Sequence, residues 1–221
     1  MANTLSSPQA QAVLGRLFAA AAHDDDREPA LPPGHSFTTA SPLQRAEAYQ
    51  EAYLPISAEA GQLLYALTRA IRPETVVEFG TSFGISTIYL AAAVTDNGTG
   101  RVVSTELSTK KAAAAEANLR EAGVGAAVTV LTGDARQTLA GLPGPVGLVL
   151  LDGWKDLCLP VLRLLEPVLA PGALVAADDS SLASMGDYLG YVRNPASGYV
   201  TVSFPVEDGM EISSWTGPAH R

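Results

Sequence analysis

Residues 148–182 read LVLLDGWKDLCLPVLRLLEPVLAPGALVAADDSSL. Two apolar runs, Val146–Leu151 and Ala173–Ala177, each end in acid: Asp152 after the first, Asp178 and Asp179 after the second. The segment between them, Leu157–Leu169, is apolar at helical spacing. The pattern predicts strand, helix, strand, with three carboxylates at the strand carboxyl ends, where open α/β sheets bind their ligands. Three acids that converge there repel one another unless they are protonated or neutralised by a cation. Oxygen-only ligation suits a hard ion, Mg²⁺ or another divalent cation such as Mn²⁺ or Ca²⁺. Asp152, Asp178 and Asp179 are therefore the expected metal ligands.

Working outward, the same alternation extends in both directions. Upstream, strands are expected at Thr75–Phe79, Arg101–Thr105 and Val128–Leu131. They are followed by helices over Ile85–Ala93, Thr109–Ala122 and Ala135–Ala140. The helix after Val146–Leu151 is expected to run from Asp156 to Leu169. Downstream come a helix around Ser184–Val192 and strands Tyr199–Phe204 and Met210–Trp215. The expected fold is α/β: a Rossmann-like, mostly parallel sheet of seven strands with helices on both faces. Residues 1–55 read as a helical appendage with a Pro-rich arm, and 56–221 as the main domain. The appendage holds a helix over Pro8–Ala22, a polar stop at His23–Asp26, the arm Pro29–Pro42, and a helix from Pro42 to about Tyr53. A further helix, Ala58–Ile71, precedes the first strand.

Three successive strand ends carry cofactor-like chemistry. The first runs into Glu78-Phe79-Gly80-Thr81-Ser82-Phe83-Gly84-Ile85-Ser86, a turn framed by Gly80 and Gly84. Glycine permits positive φ and close approach of a ligand to the backbone, and free N–H groups at the helix start favour an anionic ligand group. Glu106, ending the second strand, is placed to accept hydrogen bonds from both hydroxyls of a ribose. Asp134, after Gly133 and before Ala135 at the third, could take a hydrogen bond from an adenine amino group, cap the next helix, or do both. Neither G-x-G-x-x-G nor G-x-x-x-x-G-K-[ST] is present, which argues against NAD and nucleoside triphosphates. Glycine, acid and acid suit a nucleoside cofactor without a phosphate cradle. S-adenosyl-L-methionine, with its positive sulfonium, fits an acidic pocket.

Composition narrows the partners. The 221-residue chain has a net charge of −9, and 47% of its residues are hydrophobic. The acidic balance argues against nucleic acid and against anionic membranes. No apolar run reaches the length that spans a bilayer, and no secretory leader is evident. The single cysteine, Cys158, cannot form an internal disulfide. A cytoplasmic location is the resulting expectation. The apolar helix Pro8–Ala22 is expected to need a partner surface, which suggests a homodimer.

Asp152-Gly153-Trp154-Lys155-Asp156, then Leu159-Pro160, then Ala177-Asp178-Asp179 resemble the catechol O-methyltransferase family, which reads D-H-W-K-D and A-D-N at these places. The likeness runs from about Leu54 to Pro218. It takes in Gly61-Gln62, the Gly80–Ser86 turn, Glu106, Asp208-Gly209-Met210-Glu211 and Trp215-Thr216-Gly217-Pro218. The resemblance implies a class I methyltransferase fold and transfer of a methyl group from S-adenosyl-L-methionine to a hydroxyl of a catechol-type small molecule. By it, Asp152, Asp178 and Asp179 hold Mg²⁺, Lys155 is the general base, and Glu211 holds the neighbouring substrate oxygen. Trp154 lies against the adenine, Glu106 binds the ribose, and Glu78, Gly80, Thr81, Ser82, Gly84 and Ser86 form the turn for the methionine part. Asp134, Ala135 and Asp152 complete the cofactor's surroundings.

The chemistry is coherent on its own terms. A phenol with a pKa near 10 is a weak nucleophile at neutral pH, and chelation by a divalent ion lowers that value. A lysine beside such an ion loses its proton more readily and can act as base. Two departures stand out: Asp179 replaces the family's asparagine, and Gly153 its histidine. Two other readings stay open: a metal-independent methyltransferase of the same fold acting on a carboxylate, amine or lone hydroxyl, and a non-catalytic cofactor-binding module.

Overall fold

The computed structural model describes residues 3–217; Pro218, quoted for the family likeness, lies outside them. The elements are α1 (Pro8–Ala21), α2 (Pro42–Ala48), α3 (Ala58–Ile71), β1 (Thr75–Phe79), α4 (Ile85–Asn97), β2 (Arg101–Glu106), α5 (Thr109–Glu121), β3 (Val128–Thr132), α6 (Ala135–Thr138), β4 (Val146–Leu151), α7 (Cys158–Leu165), β5 (Leu169–Ala177), α8 (Gly186–Val192), β6 (Tyr199–Phe204) and β7 (Met210–Trp215). The seven strands form one sheet in the order β3-β2-β1-β4-β5-β7-β6. Strands β3 to β5 run parallel, and β7 is antiparallel to both β5 and β6. This is the mostly parallel α/β sheet that the sequence implies.

Two apolar layers sandwich the sheet. One joins α1, α3 and α4 to Val76, Val102, Leu148 and Leu150. The other joins α7 and α8 to Val77, Val103, Val149 and Leu151. Alternate residues of each central strand feed opposite layers, as pleating requires. Helix α4 is buried nearly all round, which its sequence IYLAAAV allows because small side chains let neighbours approach closely.

Helix α1 buries Ala10, Val13, Leu14 and Leu17, in the same layer as α3 and α4. The apolar face expected to need a second subunit is thus covered within the chain, and that reason for a homodimer falls away.

Several boundaries differ from those read in sequence. The helix expected over Asp156–Leu169 is three pieces: a 3-10 turn at Lys155–Leu157, α7, and a second 3-10 turn at Glu166–Val168. Pro167 sits at the start of that last turn; its ring cannot continue an α-helix. Strand β5 consequently starts at Leu169 rather than Ala173, with a register shift opposite Val146 and Leu148. The helix after Pro42 ends at Ala48 rather than Tyr53, and helix α4 continues to Asn97, closed by Gly98 in the left-handed conformation.

At the topological switch point, β1 lies between β2 and β4. Gly80 has φ +103°, and a Cβ there would lie 2.7 Å from the Asp152 carbonyl and the Gly153 nitrogen. Both the backbone conformation and the space demand glycine. Gly80→Ala is expected to cost about 2–4 kcal/mol, lowering the melting temperature by about 5–15 °C for a chain of this size. An unchanged thermal denaturation midpoint would refute that close approach.

Candidate active site

Backbone ladders carry the key acids just past the strand ends. Asp152 N–H donates to the Phe79 carbonyl at 2.9 Å, and Asp178 N–H to the Leu151 carbonyl at 3.1 Å. Both carboxylates are thereby fixed over β4 and β5 at the carboxyl edge of the sheet. Asp179 follows with φ +55°, a left-handed turn that Asn and Asp tolerate better than most residues. Carboxylate oxygens of Asp152, Asp178 and Asp179 lie within 4.8 Å of one another. Lys155 Nζ stands between two of them, 2.9 Å from Asp152 Oδ1 and 2.9 Å from Asp179 Oδ2.

The electrostatics follow from burial. Loss of solvent pushes Asp178 up to about 8, with the neighbouring Asp152 charge adding to the effect. Asp152 is likewise raised by burial, against the pull of Lys155. Burial alone would lower Lys155, but the carboxylates of Asp152 and Asp179 outweigh it and hold the ammonium well above its usual range. One ammonium among three acids leaves negative charge uncompensated. An all-oxygen cluster with that deficit fits a hard divalent cation.

The side expected from sequence to hold the cofactor is built on the next strands. Glu78 is fully buried and accepts hydrogen bonds from Ser86 Oγ (2.6 Å), Thr87 Oγ1 (2.5 Å) and Ser104 Oγ. Burial raises it to about 7 despite those three donors. Its role here is to tie the start of α4 to β2. Glu106 accepts from Ser82 N–H and Ser108 N–H, both at 2.8 Å, and burial lifts its pKa. Asp134 caps α6 by accepting from Arg136 N–H at 2.9 Å, while also pairing with the Arg136 guanidinium.

These ends surround one cavity of about 530 Å³. Of the residues singled out in sequence, Gly80, Thr81, Ser82, Ser86, Glu106, Asp134, Ala135, Asp152, Trp154, Lys155, Asp178 and Asp179 line it. Glu78 and Gly84 do not; they shape the turn from beneath. Glu211 requires a correction. It is 1% exposed, and its carboxylate is bound by Arg193 at 2.9 and 2.7 Å and by Thr201 at 2.8 Å. It pairs with Ala177 across the sheet and projects toward the α8 side, away from the cavity. Glu207 and Asp208, in the turn before β7, line the cavity instead. Hydrogen bonds from Ser180 N–H to the Gly209 carbonyl and Ser181 N–H to the Asp208 carbonyl, both 2.9 Å, dock that turn against the loop after β5.

Sequence reading missed contributions from the appendage. Phe37, Arg45, Tyr49 and Tyr53 all line the cavity, as does Lys111 from α5. The Asp24 carboxylate accepts from Tyr53 N–H and Leu54 N–H at 2.7 Å each, anchoring the segment after α2. No periodicity in the arm signals this; only the Phe37, Tyr49 and Tyr53 aromatics in a polar stretch hint at it. Gly153 is also explained. A Cβ there would lie 2.5 Å from the Phe79 ring, so that ring fills the space a larger side chain would need.

The raised acids predict a pH dependence. Between about pH 4, where these carboxyls ionise unfolded, and the folded values near 7 and 8, the native protein binds more protons than the unfolded chain. Their contribution is therefore fully present in acid and is lost as pH rises through those values. Glu211, held low chiefly by Arg193, works oppositely and only in acid. Between pH 6 and 8.5 the melting temperature of metal-free protein should fall, and Glu78→Gln should flatten the slope. A midpoint that rises over this range would contradict the assignment.

A seven-stranded sheet of this order, with a glycine turn, an acid at the end of β2 and a lined cavity at the switch point, defines a class I methyltransferase fold. A family profile described as "Methyltransferase domain" matches residues 77–180. The chain is 35% identical over 141 residues to catechol O-methyltransferase of Mycobacterium tuberculosis, covering 63% of this chain and 63% of that protein. It is 30% identical over 183 residues to catechol O-methyltransferase B of Danio rerio, covering 76% and 68% respectively. The chain thus spans roughly two thirds of the length of these relatives. Among solved structures it resembles the O-methyltransferase TomG of Streptomyces achromogenes, involved in tomaymycin synthesis and in complex with SAM. The TM-score is 0.67 at 25% identity, over 80% of this chain and 91% of that one. The chain belongs to the catechol O-methyltransferase family.

Proposed function

We propose that this protein transfers the methyl group of S-adenosyl-L-methionine to one hydroxyl of a catechol-type, vicinal dihydroxy small molecule, with a divalent cation held by Asp152, Asp178 and Asp179. The observation that carries the reading is the meeting of those three carboxylates with Lys155 in the same cavity as Glu106 and the Gly80–Ser86 turn. When bound, the cofactor supplies an electrophilic methyl group, and the cation supplies the charge that acidifies a chelated hydroxyl.

The chain's own residues do the rest. The Gly80–Ser86 turn and Glu106 hold the methionine and ribose parts of the cofactor. The aromatic walls, Tyr53 and Phe83 beside the Ser82 turn and Trp154 on the adenine side, exclude water from the cofactor and hold it in place. Lys155 Nζ receives the hydroxyl proton. To do so it must first surrender its own, which requires Asp152 and Asp179 to be neutralised by something other than the ammonium. That requirement links the base to the metal set.

A second reading, metal-independent transfer, has one observation in its favour: the Lys155 ammonium already offsets part of the acidic charge. The substrate reading is tested with labelled cofactor against catechol, phenol and benzoate. Monomethylation of catechol alone is expected. Equal methylation of phenol would overturn the requirement for vicinal oxygens.

A further inference from the structure

Arg45 stands at the seam between the appendage and the loop after β4. Its guanidinium donates to both oxygens of Asp156, at 2.8 and 2.9 Å. It also lies 5.0 Å from the Phe37 ring centre and 5.2 Å from that of Trp154. Phe37, Tyr49 and Trp154 meet edge to face, with centroids 5.5 to 5.9 Å apart. The Arg45 side chain is 5% exposed, whereas Asp156 is 52% exposed. The appendage therefore closes on the Trp154 loop through one buried cation held between two rings and forked onto a carboxylate.

This seam lies on the α6 side of the cavity, where α6 packs against α7. Arg45, Trp154 and Asp156 line it together with Asp134 and Ala135, and Asp156 adds a smaller pull to that of Asp134 in raising the Arg136 guanidinium. In the proposed function this is the adenine end. We infer that Arg45 is a positioning residue for the cofactor: it locks Trp154 in place and clasps the appendage over the adenine end, so that the cofactor leaves only when the clasp opens. This inference rests on the methyltransferase reading of the cavity.

Two physical points support a clasp over simple packing. Arg45 Nε is buried without a hydrogen-bond partner, a cost that an apolar side chain at this position would not carry. The planar fork can bond Asp156 with two nitrogens while its face meets the rings, which a lysine cannot do. Loss of a desolvated cation–π contact together with its ion pair corresponds to a change of about tenfold or more in binding.

The test is the release rate of S-adenosylhomocysteine, followed by stopped flow, in wild type, Arg45→Met, Arg45→Lys and Asp156→Asn. Release should quicken about tenfold in Arg45→Met. Arg45→Lys should recover only part of the difference, because charge without the fork does not rebuild the clasp. Asp156→Asn, on the exposed side of the pair, should also release faster; it carries the test if Arg45→Met does not fold. Wild-type release from folded Arg45→Met, from Asp156→Asn, or full rescue by lysine overturns the clasp. Failure of the wild type itself to bind S-adenosylhomocysteine would instead overturn the methyltransferase reading.

Discussion

Lys155→Met is expected to slow methyl transfer by about 10²–10⁴-fold, the range associated with loss of a positioned general base. Its Nζ sits 2.9 Å from two carboxylates of the acidic cluster. The other lysine lining the cavity, Lys111, lies on the Glu106 side and donates to Ser82 Oγ at 3.3 Å. Burial lowers the Lys111 pKa, but it sits at the end proposed for the cofactor. The informative comparison is Lys155→Arg. Arginine keeps the positive charge between Asp152 and Asp179 but does not deprotonate in proteins. If Lys155 acts only by offsetting charge, arginine should restore most of the rate; if it accepts a proton, arginine should be nearly as slow as methionine. Single-turnover rates at saturating cofactor separate the two, and full rescue by arginine would contradict the base assignment.

Asp178→Asn is expected to produce opposite effects on stability and on function. Asp178 is the most buried of the three acids, at 5% exposed, and its pKa of about 8 reflects burial and the repulsion of Asp152. An amide removes that repulsion, so the metal-free variant should melt at a higher temperature than wild type at pH 8.5. The same change deletes a charged oxygen from the proposed ligand set. Mg²⁺ affinity, measured by calorimetry, should fall by at least about a hundredfold, beyond the 10–100-fold typical of losing a residue that merely supports a ligand. Wild type should gain thermal stability from added Mg²⁺, and the variant should gain little. A variant less stable than wild type without metal and equally responsive to Mg²⁺ would mean that Asp178 is a structural acid.

The fold was largely legible because its strands are short, apolar and punctuated. β1, β4, β6 and β7 match the sequence reading to the residue, since each begins directly after Pro, Gly or acid and the first three also end directly before one. The segment after β4 was not legible in the same way. Its leucines satisfy helix, 3-10 and strand alike, and the break at Pro167 depends on how the chain must turn to re-enter the sheet. In the site, residues at strand ends could be placed from sequence because strand polarity dictates which end they occupy. Glu211 could not: a strand side chain points to one face or the other, and only register with Ala177 shows which. Arg45 and Phe37 could not, because they reach the cavity by tertiary packing, Phe37 from an arm with no periodicity and Arg45 from the short helix α2 that follows it.

The central claim, that the three acids hold a cation on which methyl transfer depends, is tested most directly by one assay. Methyl transfer from labelled S-adenosyl-L-methionine to catechol is measured in protein stripped by chelator, then again after Mg²⁺ is restored. Transfer that falls at least about a hundredfold on stripping and returns with Mg²⁺ is the predicted result, given the several kcal/mol of charge stabilisation such an ion supplies. Transfer that is unaffected by chelation would contradict it and leave the Lys155 ammonium to offset the acids.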